Sequence, residues 1–123
     1  WEIEYGAWEG MTQDQVRARD PELRAAYERD PYETRIPGGE SGREVAERAS
    51  GVLDALEQWL AADRGRAAVA VTHNHVVRLR LAALLGIPLS DYRRRIVADP
   101  GCYSLITFGP GEPVVRRVNA APP

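Results

Sequence analysis

Val45, Ala49, Val52, Leu53, Leu56, Trp59 and Leu60 recur at helical spacing, so residues 42–63 are predicted to form a helix with one apolar stripe. Arg43, Glu47, Arg48, Asp54 and Glu57 occupy its opposite face. Ser41 and Glu44 have the spacing of a capping box, and Gly65 lies just past the end. The rhythm then changes. Residues 67–72 form a short apolar run that reads as a buried strand, and residues 75–85 return to helical spacing until Gly86 and Pro88 stop them. Upstream, Thr12 is placed to cap a helix through about Asp20, and Pro21 to begin another ending near Arg29. Ser90-Asp91-Tyr92 reads as a helical turn. Residues 102–108 read as a strand, Gly109-Pro110-Gly111 as a turn, and residues 113–118 as its hairpin partner.

Helix, strand, helix and two further strands is an α/β order. The expected architecture has three layers, with a mainly parallel sheet, residues 68–72 as one parallel strand, and the stripe of 42–63 packed on one face. The strand count is short for such a sheet, and the first forty residues supply little regular apolar pattern. Residue 1 is Trp and the only methionine is Met11. Together these predict one domain over residues 1–123 with an incomplete core, from a chain that begins upstream or was cut. A second chain, a homo-oligomer or further residues of the same chain are expected to complete the sheet.

Composition narrows the class. The 123 residues are 44% hydrophobic and 28% charged, as in globular domains. A formal net charge of −2 gives no footprint for nucleic acid, and no apolar run is long enough for a membrane span. The single cysteine, Cys102, excludes an internal disulfide and fits a reducing, cytoplasmic compartment; it is expected to be buried in its strand and inert. All 16 basic residues are arginine, a side chain suited to bidentate phosphate recognition.

The only two histidines, His73 and His75, stand where the predicted strand hands over to the following helix. Ligands of open α/β sheets bind at the carboxyl ends of strands, and a helix start offers free N–H groups to anions. A histidine there can donate to a phosphoryl oxygen, act as a base, or carry a phosphoryl group. The plainer alternative is a loop hydrogen bond. Asn74 and His75 begin the helix, so their backbone N–H groups can face the same anion. A zinc site built on the His-x-His pair would need further ligands, and Val76, Val77 and Arg78 supply none. Glu2, Glu4 and Glu9 surround Tyr5, Gly6 and Gly10 in a loop that suits either a proton donor or a merely solvated acidic patch. Trp8 reads as a core anchor and Arg93-Arg94-Arg95 as a solvated face, from which one arginine can reach an anionic substrate.

Three segments in order, Glu2-Ile3-Glu4-Tyr5-Gly6-Ala7-Trp8-Glu9-Gly10, Pro37-Gly38-Gly39-Glu40-Ser41 and Val71-Thr72-His73, resemble the histidine phosphatase superfamily, also called phosphoglycerate-mutase-like. The resemblance runs over essentially the whole chain. It implies that His73 is similar to the family's second catalytic histidine, which contacts the transferring phosphoryl group. It places Glu2 at the acid/base carboxylate and Tyr5 at a substrate contact. Asn74 and His75 fall where backbone can contact phosphate, although the family more often has Gly directly after the histidine. On this reading His75 lines the pocket mouth. The family's nucleophile histidine, in an Arg-His-Gly motif, and a second arginine segment have no counterpart in these residues; the resemblance implies that they, with the N-terminal first strand, first helix and second strand, are absent from this segment and lie upstream.

The resemblance therefore implies a metal-independent phosphomonoester hydrolase acting on a small phosphorylated substrate, with no cofactor and a phosphohistidine intermediate. A phosphoglycerate-mutase-type transferase shares the chemistry. A nucleophile-less relative kept as a binding module is the non-enzymatic alternative.

Overall fold

The computed structural model describes residues 2–123. Along the chain they form helices α1 (Gln13–Arg19), α2 (Pro21–Arg29), α3 (Gly42–Ala61), α4 (Asn74–Leu85) and α5 (Tyr92–Arg95), then strands β1 (Tyr103–Thr107) and β2 (Val114–Ala120). Short helical turns occur at Gly6–Trp8 and Leu89–Asp91.

Local chemistry sets most boundaries. Thr12 and Gln15 form a capping box at α1, each side chain meeting the other's backbone N–H. Ser41 and Glu44 do the same for α3, the Ser41 N–H reaching the Glu44 carboxylate at 2.8 Å. Pro21 opens α2, where a missing N–H costs nothing. Gly86 closes α4 in the left-handed conformation, φ +66°. The predicted helices and the terminal hairpin are therefore present, and β1 and β2 pair antiparallel. The register slips between Tyr103 and Leu105 and again between Leu105 and Ile106. Asn119, at φ +53°, lies beside the first slip and exchanges two hydrogen bonds with Asp99.

Two apolar clusters hold these elements together. Ile3, Val45, Val76, Leu79, Leu81, Ala82, Tyr92 and Ile96 gather between α3, α4 and α5, while Trp8, Val16, Tyr27 and Ile36 close the loop against α1 and α2. Tyr5 packs against both. Each large side chain so buried contributes about 1.5–3 kcal/mol. Trp8 is a core anchor as expected, with its indole N–H donating to Asp20 at 2.8 Å.

Three expectations are corrected. Residues 67–72 are irregular chain and not a strand: among the described residues they make no backbone hydrogen bond, and Val69 and Val71 are 91% and 94% exposed. A strand exists only through ladder partners, and the described residues hold one ladder, the antiparallel β1–β2 pair. The fold is thus a mixed α/β arrangement with a two-stranded antiparallel sheet. The α3 stripe is covered only in part: Val45 is fully buried and Ala49 and Leu53 pack against the core, whereas Val52 and Trp59 remain exposed. Finally, Cys102 precedes β1 and is half-buried, since the turn at 99–102 leaves it beside the hairpin edge. No helix among the described residues is long and apolar enough to cross a membrane.

Candidate active site at the start of α4

The loop carrying Glu2 is held by backbone contact. Gly6 and Gly39 face each other so closely that a Cβ on Gly6 would lie 2.3 Å from the Gly39 nitrogen, and one on Gly39 would lie 2.4 Å from the Glu4 carbonyl oxygen. Gly6 also needs φ +48°. The Glu40 N–H donates to the Glu4 carbonyl and the Ala7 N–H to that of Pro37, both at 2.8 Å. Arg48 of α3 adds a side-chain clamp: Nη2 donates to the Glu2 carbonyl at 2.6 Å while Nε donates to Glu40 Oε1 at 2.7 Å. Glu40 in turn accepts the Glu4 N–H at 3.1 Å. Gly6 and Gly39, far apart in the sequence, meet here to fix one acidic loop.

That loop aims Glu2 at α4. Glu2 Oε1 accepts the His75 backbone N–H at 3.2 Å and lies 3.1 Å from His75 Nδ1. A carboxylate at a helix N-terminus is favoured by the unpaired N–H groups there and by the macrodipole. His75 Nε2 is 3.3 Å from the Tyr5 hydroxyl, and the Tyr92 ring meets the imidazole edge-on at 5.8 Å. Burial, the largest influence, lowers the His75 pKa; nearby Glu2 opposes this and Arg93 adds to it. Burial likewise raises the Tyr5 phenol, with the Tyr27 phenol acting in the same direction.

The expected site residues separate into three roles. His73 caps α4 in an extended conformation, exposed, with no side-chain partner among the described residues. Asn74 is half-buried and anchors the helix start, its amide donating to the Ala98 carbonyl at 2.7 Å. His75 is 7% exposed and sits inside, against Glu2, Tyr5 and Tyr92, where a position at the pocket mouth was expected. Two residues of helix rotation turn its side chain from the solvent toward the core. Among the described residues, no three of His, Cys, Asp and Glu converge as metal donors.

A cleft of about 220 Å³ opens beside this cluster, lined by Tyr5, Glu9, Met11, Arg24, Tyr27 and Arg93 among others. The guanidinium of Arg93 stacks 5.0 Å above the Tyr27 ring, so this arginine is half-buried where a solvated face was expected. An exposed imidazole and a carboxylate at a helix start suit binding an anion and transferring a proton, and the neighbouring cleft carries Arg24, Arg93 and Glu9 in its walls.

Residues 1–121 match the sequence pattern of the histidine phosphatase superfamily (branch 1). The chain belongs to that superfamily. Among its named relatives, phosphoserine phosphatase 1 of Hydrogenobacter thermophilus is 29% identical over 120 residues, covering 96% of this chain and 54% of the relative. Glucosyl-3-phosphoglycerate phosphatase of Mycolicibacterium vanbaalenii is 36% identical over 95 residues, 74% of this chain and 42% of the relative. Bacillus stearothermophilus YhfR has a TM-score of 0.78 at 26% identity, covering 99% of this chain and 58% of that one. The mycobacterial glucosyl-3-phosphoglycerate phosphatase with inorganic phosphate gives 0.76 at 26%, over 98% of this chain and 61% of that one. The chain thus spans about half the length of the histidine phosphatases it matches.

Arg48 and Tyr92 escaped the sequence reading. Arg48 bonds to a carbonyl 46 positions away, and Tyr92 meets His75 across 17 positions. Neither lies in a motif, so no local signal marked them.

Proposed function

We propose that this chain is the C-terminal part of a phosphomonoester hydrolase that works through a phosphohistidine, with the nucleophile histidine upstream of this segment. The observation that carries the reading is Glu2 held against the first turn of α4, the helix whose N-cap residue is the exposed His73. In the complete protein the upstream histidine attacks phosphorus and the P–O bond to the leaving group breaks. Glu2 gives its proton to the departing oxygen, then takes one from the water that hydrolyses the phosphohistidine. His73, the α4 N-terminus and arginine side chains hold the equatorial oxygens, so that positive charge comes from the protein without a metal. Tyr5 and the backbone N–H groups at the α4 start border the bound ester. The substrate is a small phosphorylated molecule.

The same reading makes residues 1–123 one N-terminally incomplete domain and gives 67–72 its place. The bare apolar run and the uncovered end of the α3 stripe support a three-layer arrangement in which strands supplied by the rest of the chain, or by a second copy, pair with this run. The lone cysteine supports a cytoplasmic setting.

The deciding experiment is rapid quenching of the full-length protein with a labelled aryl phosphate. An acid-labile, alkali-stable phosphoprotein that turns over to inorganic phosphate is the expected result. Transfer of the label to a second organic substrate makes the protein a mutase. No labelling and no turnover leaves the binding-module reading.

A further inference from the structure

The imidazole of His75 has a polar neighbour on each side. Nδ1 lies 3.1 Å from Glu2 Oε1, and Nε2 lies 3.3 Å from the Tyr5 hydroxyl. The ring is buried, and the rings of Tyr5 and Tyr92 meet it edge-on at 76° and 63°, so packing sets its plane. A neutral imidazole carries one donor and one acceptor, and the hydrogen bond at one nitrogen selects the other's role. With the Tyr5 hydroxyl donating to Nε2, the ring proton resides on Nδ1, facing Glu2. The Nδ1–Oε1 approach is within ion-pair range but off the hydrogen-bond axis. The terminal torsion of a glutamate is broad, and a small turn of the carboxyl brings its oxygen into line.

We infer that His75 is a positioning residue for Glu2: it receives the Tyr5 hydroxyl on Nε2 and directs Nδ1–H at the Glu2 carboxyl, fixing the rotamer from which Glu2 exchanges its proton with the leaving oxygen. The inference rests on the phosphatase reading. Charged groups around the ring are the Glu2 carboxylate and the guanidiniums of Arg93 and Arg78, and the phenols of Tyr5 and Tyr92 pack against it. Burial outweighs Glu2, so the ring stays neutral. A neutral donor orients the carboxylate without neutralising it. Because the His75 backbone N–H binds the same Glu2 oxygen, the helix start and the ring grip one carboxyl from two directions.

The test uses the full-length protein with an aryl phosphate and an alkyl phosphate. Only the alkyl ester needs its leaving oxygen protonated, so a misplaced Glu2 harms that substrate selectively. His75→Leu is expected to lower kcat for the alkyl phosphate about tenfold more than for the aryl phosphate. His75→Asn, whose amide reaches the Nδ1 place, should close most of that gap, and Tyr5→Phe should open a smaller one of the same sign. Thermal midpoints of all variants accompany the rates. Parallel losses on both esters, or His75→Asn behaving as His75→Leu, overturn the inference. If the wild type turns over neither ester, the phosphatase reading fails instead. In that case, or if His75→Leu does not fold, nitrogen NMR of the His75 ring decides. A neutral Nδ1–H tautomer that responds to Glu2→Gln upholds the positioning contact, and a ring indifferent to Glu2→Gln refutes it.

Discussion

Arg48 and Glu40 meet through Nε and Oε1 at 2.7 Å, and this pair ties the α3 helix to the loop that carries Glu2. Both side chains are largely covered, at 33% and 17% exposure, and each also binds backbone of the loop. The Arg48 guanidinium holds the Glu40 carboxyl below its ordinary value of 4.5. Arg48→Ala is therefore expected to destabilise the protein by about 1 kcal/mol, more than an open surface pair would. Chemical denaturation of the variant beside Arg48→Lys checks it; equal loss in both would show that the bidentate geometry is unimportant.

The Gly6–Gly39 contact leaves no room for a methyl group, since the atoms in the way are backbone. Gly39→Ala should cost roughly 3 kcal/mol, at the upper end for overpacking, because the two loops must separate. Gly10 provides the contrast. It has φ +73° but nothing within 4 Å of the place a methyl group would take, so Gly10→Ala should cost only about 1–2 kcal/mol of left-handed strain. Denaturation midpoints that fall equally would remove the close-approach argument.

Activity should depend on His73 and Glu2 in different ways. In the full-length protein, His73→Ala is expected to lower kcat roughly 10²–10³-fold on every ester, as loss of one charge-stabilising donor does. Glu2→Gln should slow alkyl phosphates far more than aryl phosphates. Chelators should leave the rate unchanged. Activity abolished by chelation and restored by zinc would replace this mechanism with a metal-dependent one.

Stability should fall with acid in two stages. His75 has a folded pKa below its ordinary 6.5, so the unfolded chain binds the proton first. Its contribution is complete above pH 6.5 and is lost as pH drops through the lower folded value. Glu40 and Glu44 are also depressed, the first mainly by Arg48 and the second by the Ser41 backbone, and their contributions begin to fade only below 4.5. Melting curves across this range should show the first stage in the wild type and lose it in His75→Asn.

Residues 67–71 give a prediction about context. With no ladder partner, the amides of Val69 and Val71 should exchange hydrogen quickly in the 123-residue chain. In the full-length protein, where the proposed neighbouring strands are present, exchange there should slow by orders of magnitude. Fast exchange in both would mean that the run is a loop in the complete fold as well.

The amino-acid sequence determined whatever is written within a few residues. Thr12 with Gln15, Ser41 with Glu44, Pro21 and Gly86 mark helix ends because caps act over one turn, and the 109–111 turn fixes the hairpin for the same reason. The segments at 2–10, 37–41 and 71–73 also carried the family. What tertiary structure decided is every relation across long loops. The inward turn of His75, the Arg48 clamp on Glu2 and the stacking of Arg93 on Tyr27 depend on how α3, α4 and α5 pack, and no periodicity encodes that. Residues 67–72 show the limit most plainly. Their pattern is that of a buried strand, but a strand is a relation between two chains of hydrogen bonds, and the described residues contain only one of them.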